Sequence, residues 1–145
     1  MANQTQRPDT ALHNTSHLMQ YHDLIESIVA AMDARDAYTA KHSDRVADMV
    51  LVLATALDLS EDETTLLHMA AHLHDIGKIA VPDSVLRKAG PLTNPEWEEM
   101  RRHPVTGYEI LRKVDDFKEI AVLVRHHHER WDGRGYPDGL RGADI

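Results

Sequence analysis

Ser60-Glu61-Asp62-Glu63-Thr64-Thr65-Leu66-Leu67-His68-Met69-Ala70-Ala71-His72-Leu73-His74-Asp75-Ile76-Gly77-Lys78 is the stretch on which the fold turns. Ser60 followed by Glu63 is a capping-box pattern, in which hydroxyl and carboxylate each satisfy a backbone N–H that an opening helix leaves free. Leu66/Leu67, Ala70 and Leu73/His74 then recur at helical spacing along one inner face, and Gly77 reads as the stop. Upstream, Val46, Met49/Val50, Leu53 and Leu57 mark a helix starting near Thr39, and Leu24/Ile25, Ile28/Val29 and Met32 mark an earlier one. Met1 to about Thr15 is polar and aperiodic, which reads as a disordered lead or linker before a domain spanning residues 16–145. Downstream, Pro82, Gly90 and Pro91 punctuate a loop holding one short helix, Asp83 to Lys88. Thr93-Asn94-Pro95-Glu96 opens another helix, with proline where its missing N–H does no harm. The Pro104 ring disfavours helical geometry at His103 and predicts a break there. Helices are then expected over Pro104–Val114 and from Asp116 to about Arg130. Trp131 to Gly142 carries four glycines and reads as a loop. No alternating strand pattern and no internal repeat appears, so the fold class is all-α, a helical bundle.

The 145 residues fit one domain, and a chain of that length buries about two-thirds of the surface it exposes when unfolded. Aromatics are only 5%, which leaves the core to aliphatic packing. A net charge of −8 argues against polymeric nucleic acid, or an anionic membrane, held by a broad basic face. It leaves room for a small anionic substrate held by metal ions and a few local cations. The absence of cysteine rules out disulfides, thiolate zinc sites and cysteine nucleophiles, and suits the cytoplasm. The longest apolar run, around Met49 to Ala54, is far too short to span a bilayer, and the N-terminus carries no secretion-type hydrophobic segment. The outlying number is eleven histidines, the commonest metal-ligand type.

His74-Asp75 offers a neutral nitrogen donor beside a carboxylate able to bridge two cations, a mixture that Fe, Mn, Zn or Ni accepts. A buried His–Asp pair capping a helix is an equally good reading of the dipeptide alone. His42 falls on the core side of its helix, where a lone histidine is more often a satisfied core residue than a ligand. His103, at a helix break, could likewise be a cap. In His126-His127-His128-Glu129, the spacing from Ile120, Leu123 and Val124 turns His127 and His128 inward and His126 toward a more polar side. Two adjacent imidazoles turned into a core need partners, and metal ions are economical ones. His68 and His72 have the i, i+4 spacing of zinc ligands, but their face also carries Glu61 and Thr65, so both are expected at the surface. His13, His17 and His22 point to nothing. Five inward histidines and one aspartate on separate helices exceed chance core placement, and their number implies two metals rather than one.

The ordered series Tyr38-Thr39, His42-Ser43, Arg45-Val46, His74-Asp75-Ile76-Gly77-Lys78, His103-Pro104, Gly107, His127-His128-Glu129 and Asp132-Gly133-Arg134-Gly135-Tyr136-Pro137 resembles the HD-GYP domain. This is a bacterial branch of the HD metal-dependent phosphohydrolases, and the likeness runs from Tyr38 to Ile145. It implies an HD-type helical bundle with a Gly-Tyr-Pro loop near the C-terminus, and hydrolysis of cyclic di-GMP. Carried over, it implies that His42, His74 and Asp75 hold a first metal, and that Asp75 bridges to a second bound by His103, His127 and His128. Lys78 would meet a substrate phosphate, and Gly135, Tyr136 and Pro137 would flank the nucleotide. Iron or manganese would be the ions, with zinc or nickel as alternatives. Some members carry a glutamate four residues before the first histidine that serves a third metal; Tyr38 stands there, which favours two. The family's pattern continues to a further helix that supplies an aspartate to the first metal, near an arginine-containing segment that contacts substrate. Asp144 follows the loop too closely to be that aspartate, so the resemblance implies a domain truncated at its C-terminus.

The chemistry implied is phosphodiester hydrolysis with Asp75 and Lys78 as the catalytic side chains, two cations activating water and clamping phosphate oxygens while Lys78 adds positive charge. One rival keeps the fold with another nucleotide as substrate. Another is a non-catalytic binding or signalling module. Related domains follow receiver or sensory domains and can dock on diguanylate cyclase (GGDEF) domains, for which Arg130, Trp131, Arg134 and Tyr136 are the candidate contacts. The plainer reading of that loop has Gly and Pro shaping it and Trp131 covering a helix end.

Overall fold

Helices begin where the local chemistry places them. The computed structural model describes residues 15–35 and 42–145, and among them no strand occurs. The α-helices are α1 (His22–Arg35), α2 (His42–Ala56), α3 (Glu61–Leu73), α4 (Asp83–Leu86), α5 (Asn94–Met100), α6 (His103–Leu111) and α7 (Lys118–His126), joined in places by short 3-10 turns. Ser60 caps α3 as a capping box: its Oγ accepts from the Glu63 N–H at 3.2 Å, and the Glu63 carboxylate accepts from the Ser60 N–H at 2.9 Å. Thr93 and Glu96 repeat the device at α5, and Pro95 and Pro104 sit in the first turns of α5 and α6. The expected lead before Thr15, together with Tyr38, Thr39 and the expected start of the second helix, lies outside the described residues.

Helix α3 is the central element, flanked by α1, α2 and α7. Its Met69 and Leu73 are buried with Ile25 and Val29 of α1, Ile76, Leu111 of α6, and Ile120 and Val124 of α7. This core is mostly aliphatic, as the shortage of aromatics requires, with Phe117 buried in it. The end of α1 is tied to the stretch after Asp75 by Arg35, whose guanidinium donates to the carbonyls of Lys78, Ile79 and Val81 and pairs with Asp83 at 2.7 Å. That clamp holds the segment bearing Lys78 in place.

Several expectations are corrected. Helix α3 ends at Leu73, and Ile76–Ala80 is a 3-10 turn, so Gly77 is not the stop. Its reason for being glycine is proximity. A Cβ there would fall onto the His103 carbonyl oxygen and 2.6 Å from the Gly107 nitrogen. Gly77→Ala is therefore expected to destabilise the chain by about 3 kcal/mol through overpacking, read as a lowered denaturation midpoint at unchanged slope. An unchanged midpoint would contradict the close approach.

The short helix stops at Leu86 rather than Lys88, and α6 includes His103 and ends at Leu111. Helix α7 starts at Lys118 and ends at His126, so His127 and His128 sit in the turn beyond it. On α2 the expected stripe fails: Met49, Leu53 and Leu57 are 60%, 55% and 68% exposed, while Ser43, Ala47 and Ala54 are buried. The run Met49 to Ala54 is apolar all round the helix, so periodicity cannot choose a face. Small side chains at 43, 47 and 54 let α2 approach α3 closely, and packing decides. Leu24 is likewise exposed, and Trp131, at 75% exposure, covers nothing. His72, expected at the surface, is 6% exposed, because the segment Thr15–Tyr21 and α1 pack over that side of α3.

Candidate metal centre

Five imidazoles and one carboxylate meet where several helix ends converge. His42 is the first residue of α2, His74 caps the end of α3, His103 opens α6, and His127 and His128 follow α7. Their rings form a continuous chain, with centroid separations of 5.4 Å for His42–His74, 5.2 Å for His74–His127, 5.2 Å for His103–His127 and 4.1 Å for His127–His128. Two groups could each hold an ion: His42, His74 and Asp75, and His103, His127 and His128, the ligand atoms of each lying within 4.8 Å of one another. Asp75 lies between them. Its Oδ2 is 3.2 Å from His74 Nε2, and its Oδ1 is 3.4 Å from His103 Nε2.

The backbone sets which nitrogen of each ring looks inward. His74 Nδ1 is 2.7 Å from the Ala71 carbonyl, His103 Nδ1 2.8 Å from that of Met100, and His127 Nδ1 2.7 Å from that of Val124. A carbonyl only accepts, so each Nδ1 carries a proton and donates; at His103 and His127 this leaves Nε2 as a bare lone pair, while His74 Nε2 faces the Asp75 carboxylate. This is the arrangement by which an outer partner orients a histidine ligand. Its consequence is sharp at His103 and His127, whose Nε2 atoms face each other at 3.3 Å. Two lone pairs at that distance repel, and a cation or a shared proton between them is required.

A shared proton is disfavoured. Burial pushes His103, His127 and His128 down to about 4, so these rings are neutral near pH 7. Burial works the same way on His74, but its bond to Asp75 outweighs it and raises the imidazole. Burial would raise Asp75, yet His74 and Lys78 hold its carboxyl well below the usual carboxylate range. Lys78 Nζ donates to Asp75 Oδ2 at 2.8 Å.

The depressed histidines give a signed prediction for chain stripped of metal by a chelator. Unfolded, these imidazoles titrate near 6.5, and folded near 4. Between those values the unfolded state binds more protons, so stability falls as pH drops through that window and levels off below it. Thermal unfolding of the chelated chain at pH 7 and pH 5 should show the lower midpoint at pH 5. Equal midpoints would contradict the buried, neutral placement.

Of the remaining residues singled out by sequence, Tyr136 reaches the centre. Its ring stacks on His128 at 4.6 Å, with the Arg101 guanidinium 5.3 Å from its centroid. Gly135 lies where a Cβ would be 2.6 Å from the His128 carbonyl oxygen and 2.5 Å from the Arg130 nitrogen. Pro137 follows in the same loop. Sequence reasoning gave no loop-holding role to Arg125, Glu129 or Asp138. Arg125 chelates Asp138 at 2.7 Å through both nitrogens, and His126 adds a contact at 3.0 Å. Glu129 Oε1 accepts from the N–H groups of Asp138 and Gly139 at 2.7 and 3.0 Å. These partners are nine to thirteen residues apart, which no helical or strand period reveals. A groove of ≈ 660 Å³ between α2, α3 and α7 opens onto His74 and His127, and a cavity of ≈ 220 Å³ beside α1 is lined by Asp75 and Lys78.

The chain also has recognisable relatives among known proteins. The family described as HD domain matches residues 21–145. The chain is 44% identical over 125 residues to the cyclic di-GMP phosphodiesterase response regulator RpfG of Xanthomonas campestris pv. campestris, covering 85% of this chain and 33% of that protein. It is 42% identical over 128 residues to the 3'3'-cGAMP-specific phosphodiesterase 2 of Vibrio cholerae, covering 85% of this chain and 24% of that protein. It is 38% identical over 125 residues to a cyclic di-GMP phosphodiesterase of Thermotoga maritima, covering 85% of this chain and 34% of that one. The chain thus spans about a third or less of the length of these relatives. No helix among the described residues is long and apolar enough to cross a membrane.

Proposed function

Because the chain belongs to the HD domain family, and its relatives at about 40% identity are HD-GYP phosphodiesterases, we propose that it carries a binuclear metal centre that hydrolyses cyclic di-GMP. The observation that carries this reading is the pair of facing nitrogens, His103 Nε2 and His127 Nε2 at 3.3 Å, both turned to lone pairs by their carbonyl partners. His42, His74 and Asp75 hold one ion, and His103, His127 and His128 hold the other. Asp75 bridges, one oxygen toward each group. Iron or manganese is the expected metal, with zinc or nickel also suited to an imidazole-rich set holding one carboxylate. When bound, two such cations supply water activated at neutral pH and positive charge for the phosphoryl oxygens.

The chain's own side chains then do the positioning. Lys78, whose Nζ donates to Asp75 Oδ2 at 2.8 Å, would be the cation placed to meet a phosphate oxygen. Gly135, Tyr136 and Pro137 border the nucleotide, and the Arg125–Asp138 and Glu129 contacts hold that loop at the centre. The domain is residues 16–145.

Lys78→Met should lower kcat about 100-fold while both ions stay bound, since one charge-stabilising donor is worth roughly 3 kcal/mol. A raised KM with unchanged kcat would mean that Lys78 only binds substrate. The reading as a whole is tested by supplying cyclic di-GMP, 3'3'-cGAMP and mononucleotides separately to the Mn(II)-loaded chain. Preference for cyclic di-GMP supports it; preference for 3'3'-cGAMP would place this chain with relatives of that specificity, and preference for mononucleotides with other HD phosphohydrolases. The exposed Trp131 favours a second, docking role for the same loop. A pulldown with a diguanylate cyclase (GGDEF) domain that ignores Tyr136→Ala and Trp131→Ala would remove that role.

A further inference from the structure

We propose that His22, His68 and His72 form a separate site for one zinc ion, outside the centre around Asp75. His68 and His72 stand one turn apart on the side of α3 turned to α1, and His22 is the first residue of α1. The ring centroids lie 4.7 Å apart for His68–His72, 5.7 Å for His22–His72 and 6.0 Å for His22–His68. One ligand nitrogen from each comes within 4.8 Å of the others. His74 and Asp75, by contrast, follow the last turn of α3 and face His42, His103 and His127.

A second observation points to a ligand. His72 is 6% exposed, and its Nδ1 is buried with no hydrogen-bond partner among the described residues. Leaving such a nitrogen unsatisfied is costly, and His74, His103 and His127 avoid it by donating Nδ1–H to carbonyls. Asp44 Oδ1 stands 3.7 Å from His72 Nδ1, beyond hydrogen-bond range. Glu26 and Asp23 approach His22 Nδ1, each at 3.8 Å. Three imidazoles with carboxylates at their edge are a donor set that zinc takes, with Asp44 or Glu26 as fourth ligand or as the outer partner of a ligating ring.

The fit requires only a small closure. Tetrahedral zinc with Zn–N near 2.0–2.1 Å holds its nitrogens about 3.4 Å apart. His22 and His68 are half-buried, and the ion would draw them inward toward the buried His72. The ion would clip the first turn of α1 onto α3, beside the N-terminal turn of α2 through Asp44. Zinc binding then favours the folded chain, because the three ligands are scattered when it unfolds.

The test is equilibrium dialysis of the full chain against Zn(II) alone, with bound metal measured by mass spectrometry, for the parent, His22→Gln and His68→Gln. Each variant should hold one equivalent less than the parent, and the rise in Tm that zinc gives the parent should shrink in both. The difference of one equivalent is independent of how much metal the Asp75 centre holds, so failure of the binuclear reading would not mimic failure of this one. Both substituted side chains are half-buried, and unchanged circular dichroism will show that the fold is kept. Equal zinc content in all three proteins overturns the site. So does loss of zinc without any change in the zinc-dependent Tm rise, which would mark a loose surface adduct rather than a clip between helices.

Discussion

Asp75→Ala is expected to leave the chain with neither ion at full occupancy and without measurable cyclic di-GMP hydrolysis. Asp75 is the carboxylate placed between the two histidine groups, touching His74 Nε2 at 3.2 Å, His103 Nε2 at 3.4 Å and Lys78 Nζ at 2.8 Å. On the proposed reading this one carboxylate would serve both ions. Its removal also leaves a raised His74 imidazole and the Lys78 ammonium without their shared anion. Breaking such a buried pair typically costs about 3–5 kcal/mol, so the alanine variant should be less stable as well as inactive. Asp75→Asn separates the two effects: it keeps the shape of the side chain while removing the charge, and should fold better than alanine yet still lose metal. Full metal content in either variant, measured after dialysis, would remove Asp75 from its bridging place.

His103→Gln should lower bound metal from two equivalents to one and reduce turnover by at least about 1000-fold, roughly 4 kcal/mol of lost transition-state stabilisation. The ring is 2% exposed, is fixed through Nδ1 to Met100, and directs Nε2 at His127. Glutamine cannot place a nitrogen lone pair there. The ion held by His42, His74 and Asp75 should survive, since none of its ligands is touched. Two equivalents retained with normal turnover would mean that the facing nitrogens are not a ligand pair.

The helical class, the Ser60 capping box, the opening of α5 at Thr93 and the core positions Ile25, Val29, Ala70, Leu73, Ile120 and Val124 were legible from spacing, whereas the buried Met69 was not and Leu24 is exposed. The face of α2 was not. Six apolar residues in succession leave no preferred side, and the small residues Ser43, Ala47 and Ala54 won the contact with α3. Helix ends were blurred at Leu73 and His126, where the chain leaves the helix so that His74 and His127 can present Nε2 while Nδ1 bonds the carbonyl three residues back. His42, His74, Asp75, His103, His127 and His128 were nameable because each is a ligand type in an ordered series. That they converge was expected from their inward faces and from the resemblance, but the contacts by which four helix ends bring them together were not. His72 shows the opposite failure. Its own helix predicts exposure, but the segment that covers it, Thr15 to Tyr21 with α1, lies some fifty residues earlier. The loop contacts of Arg125, Glu129 and Asp138 are tertiary in the same sense.

The most direct test of the binuclear reading is cyclic di-GMP turnover by the chain loaded anaerobically with Fe(II) or Mn(II), run beside Asp75→Ala under identical conditions. Hydrolysis by the parent that requires added metal and disappears in the variant is the predicted result. Hydrolysis that persists in Asp75→Ala, or a parent that binds two ions and leaves cyclic di-GMP intact, would contradict it.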